Sequence, residues 1–186
     1  MQRTTEDIYD ELLVYRCQDG EKDAFDELFF RWNGRLLAHA IGRLGRSDGA
    51  ADVLQDAWLS IVRGINRLDD PARFRGWAYR IVSNKCADSA RSGVRRRRSV
   101  RAAAQDAGTE PALTSDAVEE ADDIRVLRAA LRDLPAERRA VLSMHYLESM
   151  PVGEIARVLS IPEGTVKSRL HHARAHLKRA LEERSL

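Results

Sequence analysis

The 186-residue chain sets 31 Lys and Arg against 29 Asp and Glu, with 44% hydrophobic residues, 5 prolines and 11 glycines. That composition excludes a disordered or fibrous polymer and leans towards helix. No apolar run reaches the roughly 18 residues of a membrane span, and the N-terminal MQRTTEDIYDELL lacks the basic start and apolar centre of a secretory signal, so a cytoplasmic protein is expected.

In chain order, Asp23 to Leu44 predicts the first helix, with Phe25, Leu28, Phe29, Trp32, Leu36 and Leu37 as its apolar stripe. A second helix runs from about Gly49 to Ile65 and buries Leu54, Trp58, Ile61, Val62 and Ile65. Leu68-Asp69-Asp70-Pro71 is a turn, and a third helix from about Arg73 to Arg91 points Phe74, Trp77, Ala78 and Ile81 inward. Cys17 and Cys86 belong to no CxxC or Cys/His cluster and read as buried or idle thiols.

Charge then changes along the chain. Residues 71–101 hold ten bases and one acid, 102–123 hold seven acids and no base, and 124–186 hold twelve bases and seven acids. Two basic modules that meet a polyanion, joined by an acidic linker, account for this pattern. Beyond the linker, helices are expected at Ile124 to Leu134 and at Pro135 to Leu147, with two more following. The expected architecture is all-α: two small helical domains, residues 1–99 and 124–186, joined by a flexible acidic linker over 100–123, the C-terminal domain being a helix-turn-helix.

The last two helices carry that motif. Val152 to Leu159 is followed by a tight break at Ser160-Ile161-Pro162 and a long helix from about Glu163 to Glu183. Ala156 is the small residue at the helix crossing, and Ile155, Leu159, Ile161, Val166 and Leu170 form the wedge. Ser160 stands where glycine is often preferred, which costs about 1 kcal/mol if its φ is positive. The second helix of such a motif enters the DNA major groove. Its candidate contacts are Glu163, Thr165, Lys167, Ser168, His171 and His172, with Arg169 and Arg174 gripping the backbone. The i, i+4 pair His172 and His176 lacks a third ligand nearby, so no metal is expected.

In the second helix, Asp52, Gln55, Asp56 and Leu59 form one face opposite the buried one, an acidic surface suited to a basic protein partner. The third helix interleaves bases and aromatics: Arg73, Phe74, Arg75, Trp77, Tyr79, Arg80, Asn84 and Lys85, then Arg91 and Arg95 to Arg98. Aromatic planes stack on unpaired bases and arginines track a single strand. Arg75, Arg80, Asn84 and Lys85 are the nucleic-acid candidates, whereas Phe74 and Trp77 read more readily as core.

These segments resemble the extracytoplasmic-function (ECF) group of bacterial sigma factors. GAADVLQDAWLSIVRGI is similar to that family's polymerase-binding helix and FRGWAYRIVSNKCADSAR to its promoter-melting segment. LPAERRAVLSMHYLESMPVGEIARVLSIPEGTVKSRLHHARAHLKRAL is similar to its promoter-reading domain. The resemblance implies that Asp52, Gln55, Asp56 and Leu59 bind the clamp helices of the largest subunit of core RNA polymerase. It implies that the −10 element is captured as single strand, Asn84 matching the position that helps hold a flipped base. It further implies that Thr165, Lys167, Ser168, Arg169, His171, His172 and Arg174 read the −35 element as duplex while the domain rests on the flap of the second-largest subunit. The acidic linker would lie in the polymerase nucleic-acid channel, and an anti-sigma factor would be a partner. Histidines at 171 and 172 depart from the aromatic or arginine often found there and make pH-dependent recognition an expectation.

No catalytic residue and no cofactor are expected: there is no GxxxxGK[ST] loop and no nucleophile, acid/base or metal set. No regulatory domain is expected after the recognition helix. The competing reading is a conventional dimeric helix-turn-helix regulator, which leaves the Asp52 to Leu59 face and the Trp77 to Asn84 segment without a task. A decoy for an anti-sigma protein would not need the DNA-facing residues present in both halves.

Overall fold

The structure, a computed structural model, describes residues 4–45, 49–101 and 122–183. Every regular element described is a helix: α1 (Thr5–Gln18), α2 (Lys22–Leu44), α3 (Ala50–Gly64), α4 (Phe74–Arg101), α5 (Asp122–Asp133), α6 (Ala136–Tyr146), α7 (Val152–Leu159) and α8 (Glu163–Glu182), with 3-10 turns at Ile65–Arg67 and Pro71–Arg73. The chain divides into two compact units, built on α1–α4 and on α5–α8. The expected linker falls mostly on residues 102–121, outside the described residues.

α1 has no counterpart among the helices expected from the sequence. Thr4 caps it reciprocally: its Oγ1 accepts from the Asp7 N–H at 3.1 Å, and Asp7 Oδ2 accepts from the Thr4 N–H at 3.0 Å. Leu13, Val14 and Cys17 are buried on one side, the two aliphatic side chains stabilising the docking by about 1.5–3 kcal/mol each. Asp10 is buried beside them and is held by Arg31 Nε at 2.8 Å. At the far end, Gln18 Nε2 donates to the carbonyls of Ile65 and Leu68, both at 2.9 Å, and so fixes the connection that leads from α3 to α4.

In α2 the buried residues Ala24, Leu28, Trp32, Leu36 and Ala40 recur every fourth position, the period that keeps one face of a helix inward. Phe25 and Leu37 flank this row half-buried. Phe29 lies outside it, exposed, with its ring against Trp58 at 5.0 Å between centroids. On α3 the inner arc is Val53, Leu54, Ala57, Trp58 and Ile61. Val62, expected inside, is 51% exposed, because one 100° step past Ile61 carries it to the side of Gln55 and Leu59. On α4, Phe74, Ala78, Tyr79, Val82, Ser83 and Cys86 face inward, while Trp77 and Ile81 are only half-buried. Trp32 joins the layers, edge-on to Phe74 at 5.4 Å and to Tyr79 at 6.2 Å. The expected end of the third helix near Arg91 is corrected: α4 runs on through Gly93 to Arg101.

The second unit packs α6 and α7 against α8 through Val141, Met144, Met150, Ile155, Val158, Val166, Leu170 and Ala173, all buried. His145 Nδ1–H donates to the Met150 carbonyl at 3.0 Å and ties the α6–α7 corner. The turn between α7 and α8 has Ser160 at φ 53°, ψ 45°. The Ile161 N–H returns to the Ala156 carbonyl at 3.0 Å, the 6→1 bond of a Schellman ending. Ala156 is buried where the helices cross, as a small residue there requires.

Candidate nucleic-acid interface

Asp52, Gln55, Asp56 and Leu59 all project from α3 into solvent on one face, Leu59 being 50% exposed. With Val62 beside them they form an acidic surface around two exposed aliphatic side chains. Burial of the opposite arc fixes the helix rotation, so these four side chains present together.

The α4 candidates separate into three situations. Arg80 and Asn84 are exposed one turn apart, on the side away from the core, and Lys85 is half-buried next to them. Tyr79, counted among the interleaved aromatics, is 1% exposed and belongs to the core between Trp32 and His39. Arg75 is mostly covered, its Nη1 lying 3.9 Å from Asp7 Oδ1. Phe74 is core, as expected, and Trp77 lies across the end of α3: a Cβ on Gly64 would come within 3.0 Å of the indole Cζ2. The side chains of Arg95 to Arg98 fall outside the described residues.

On α8 the N-terminal turn has no side-chain cap, since Pro162 occupies the cap position. Its first N–H groups are therefore available to an anion, with the helix dipole favouring negative charge there. Lys167, Ser168, His171 and His172 are exposed, and Thr165 is half-buried. The His171 and His172 rings meet edge-on at 5.6 Å. Glu163 leans back over α7, where a Cβ on Gly153 would meet its Oε1 at 3.0 Å. Arg169 is ion-paired to Glu137 and 21% exposed, and Arg174 Nε donates to the Tyr146 hydroxyl at 2.6 Å. Sequence reading missed Asp7, Glu137 and Tyr146, which hold three of the arginines chosen as nucleic-acid contacts. No local pattern could have found them, because each partner lies 28 or more positions away.

Among the described residues no group of three or more His, Cys, Asp or Glu side chains could hold a metal ion, and no helix is long and apolar enough to cross a membrane.

Residues 28–99 match the family Sigma-70 region 2, and residues 124–177 match Sigma-70, region 4. The ECF RNA polymerase sigma factor SigM of Mycobacterium tuberculosis is 38% identical over 164 residues, covering 87% of this chain and 79% of SigM. The sigma factor RpoE of Bartonella quintana, solved in complex with the anti-sigma factor NepR, is similar in fold, with a TM-score of 0.70 at 22% identity over 85% of this chain and 96% of that one. CnrH, solved in complex with the cytosolic domain of CnrY, gives a TM-score of 0.59 at 25% identity over 94% of this chain and 97% of that one. With both family regions present in order and a relative of this identity spanning most of its length, the chain belongs to the ECF RNA polymerase sigma factors.

Proposed function

We propose that this sigma factor divides promoter recognition between its two units. The N-terminal unit, residues 1–99, docks on the clamp helices of the largest polymerase subunit through Asp52, Gln55, Asp56 and Leu59. The same unit captures the −10 element as single strand through Arg80, Asn84 and Lys85, with Arg75 at the edge of that surface. The C-terminal unit, residues 124–186, rests on the flap of the second-largest subunit and reads the −35 element as duplex through α8. Residues 100–123 are the acidic linker between them.

The observation that carries this reading is the exposure of two distinct surfaces on one unit: an acidic face on α3 and the Arg80–Asn84 face on α4. A duplex-only regulator needs neither. Opening requires no nucleotide hydrolysis, since capturing an unpaired base offsets an unstacking cost of a few kcal/mol. The factor has no catalytic residue, works in the cytoplasm, and is held inactive by an anti-sigma factor that covers these faces. RpoE, similar in fold, was solved in complex with the anti-sigma factor NepR.

The test is run-off transcription from a random promoter library with core polymerase, the chain, or both. Initiation only from the mixture, at a shared pair of sequence elements, supports the reading. Tight duplex binding by the chain alone, with no initiation in the mixture, overturns it in favour of a conventional dimeric regulator.

A further inference from the structure

Two arginines of α8 are held by α6, and they are held by different chemistry. Arg169 meets the carboxylate of Glu137, in the first turn of α6. Arg174 meets Tyr146, the last residue of α6: its Nε donates to the hydroxyl at 2.6 Å, and its guanidinium carbon lies 5.5 Å from the ring centroid. A carboxylate cancels the charge it binds. A phenol is neutral, so Arg174 keeps its full charge while its long side chain is ordered. With Nε committed, the two terminal nitrogens remain to donate, in the planar fork that suits a phosphate.

The position of Arg174 gives that fork something to meet. Lys167, His171, Arg174 and Lys178 stand at i, i+4, i+7 and i+11 and are all exposed, so they form one line along the solvent face of α8. Arg174 lies on this line about two turns beyond Lys167. That is where a helix whose N-terminal half enters the major groove approaches the sugar–phosphate backbone. Arg169 lies off this line, towards the buried side, with its charge already neutralised.

We propose that Tyr146 is a positioning residue that orders Arg174 to grip a phosphate of the promoter duplex, and that Arg169 is a strut between α6 and α8 rather than a DNA contact. The inference rests on the reading of α8 as the −35 reader and goes beyond it in separating the two arginines and in bringing in a residue of α6. Tyr146 is an ordering device for a charge it does not neutralise, so its loss weakens the grip without removing the ion.

The experiment uses holoenzyme, the full chain bound to core polymerase, and measures its affinity for a promoter duplex between about 50 and 200 mM salt. The variants are Arg174→Ala, Tyr146→Phe, the double variant Tyr146→Phe/Arg174→Ala, and Arg169→Ala. Tyr146→Phe keeps the ring and deletes only the hydroxyl, and thermal unfolding of each variant checks that it folds. Expected are an affinity loss of about tenfold for Arg174→Ala with the salt slope reduced by about one, a loss of roughly threefold for Tyr146→Phe, and no further loss when Tyr146→Phe is added to Arg174→Ala. Arg169→Ala leaves the salt slope unchanged. The proposal is overturned if Tyr146→Phe lowers affinity equally in the presence and absence of Arg174, if Arg174→Ala changes neither affinity nor slope, or if Arg169→Ala reduces the slope as Arg174→Ala does. A wild-type holoenzyme that binds no promoter sinks the underlying sigma reading, which the wild-type lane reports separately from the variants.

Discussion

Arg75 Nη1 stands 3.9 Å from Asp7 Oδ1, so the first turn of α4 is tied to the capping box of α1. The Thr4 backbone N–H holds the Asp7 carboxyl below the usual carboxylate range. Partial burial opposes this, and the Thr4 hydroxyl, Arg75 and Arg35 add to the lowering. A folded-state pKa below the unfolded one contributes stability that is present above the ordinary carboxylate pKa and is lost as the pH falls through the folded value. Asp7→Asn keeps an oxygen that can accept from the Thr4 N–H, so with the group partly exposed it is expected to unfold more easily near neutral pH by less than about 1 kcal/mol. The gap to wild type should close as the medium is acidified. Thermal melts of both proteins across the acid range check this.

Ser160 occupies the left-handed region at φ 53°, which costs an L-residue with a Cβ about 1 kcal/mol relative to glycine. Ser160→Gly is therefore expected to stabilise the C-terminal unit by about that amount and to leave promoter affinity unchanged, since the turn geometry is retained. Chemical denaturation followed by helix content gives the first number and promoter binding by holoenzyme the second.

The reach of sequence reasoning differs between the two halves for a physical reason. In the C-terminal half the motif is local: the small Ala156, the break at Ser160 and the wedge of Ile155, Leu159, Ile161, Val166 and Leu170 lie within 16 residues. Ile155, Val166 and Leu170 are buried as expected, while Leu159 and Ile161 are half-buried. In α1 the pattern is mixed. Leu13, Val14 and Cys17 are buried, but Ile8, Leu12 and Tyr15 face solvent and Asp10 takes an inner position on Arg31, so apolar residues fall on both sides and no single stripe announces the helix. Phe29 and Val62 mislead in the same way, each one step off a buried arc. The α3 face and the exposure of Arg80 and Asn84 were legible because helical period alone sets them. The tethers on Arg75, Arg169 and Arg174 were not, because tertiary packing sets them.

Lys167 and Arg169 sit two residues apart on α8 but differ in charge available to DNA, Lys167 being exposed and Arg169 paired to Glu137. Lys167→Ala is expected to lower promoter affinity by about tenfold. Glu137→Gln is expected to change stability by less than about 1 kcal/mol, as a partly exposed pair contributes little. Holoenzyme binding assays and thermal melts separate the two effects.

Cys17 is buried, and desolvation pushes its thiol up to about 11. Cys86 is buried as well, with its Sγ near the Ala40 carbonyl. The thiolate is the reactive form, which Cys17 resists forming, and burial shields Cys86, so neither thiol is expected to react with a disulfide reagent near neutral pH until the protein unfolds. Labelling followed by mass spectrometry, with and without denaturant, checks this, and rapid labelling of Cys17 in the folded protein would contradict it.

The proposed function requires the acidic α3 face to dock on core polymerase. The most direct measurement compares wild type with Asp52→Arg/Asp56→Arg for binding to core polymerase and for initiation at a selected promoter. Both residues are exposed, so the double variant should melt at the wild-type temperature. It should also lose core binding and, with it, initiation. A folded variant that binds core polymerase and initiates as wild type does would rule out docking through this face.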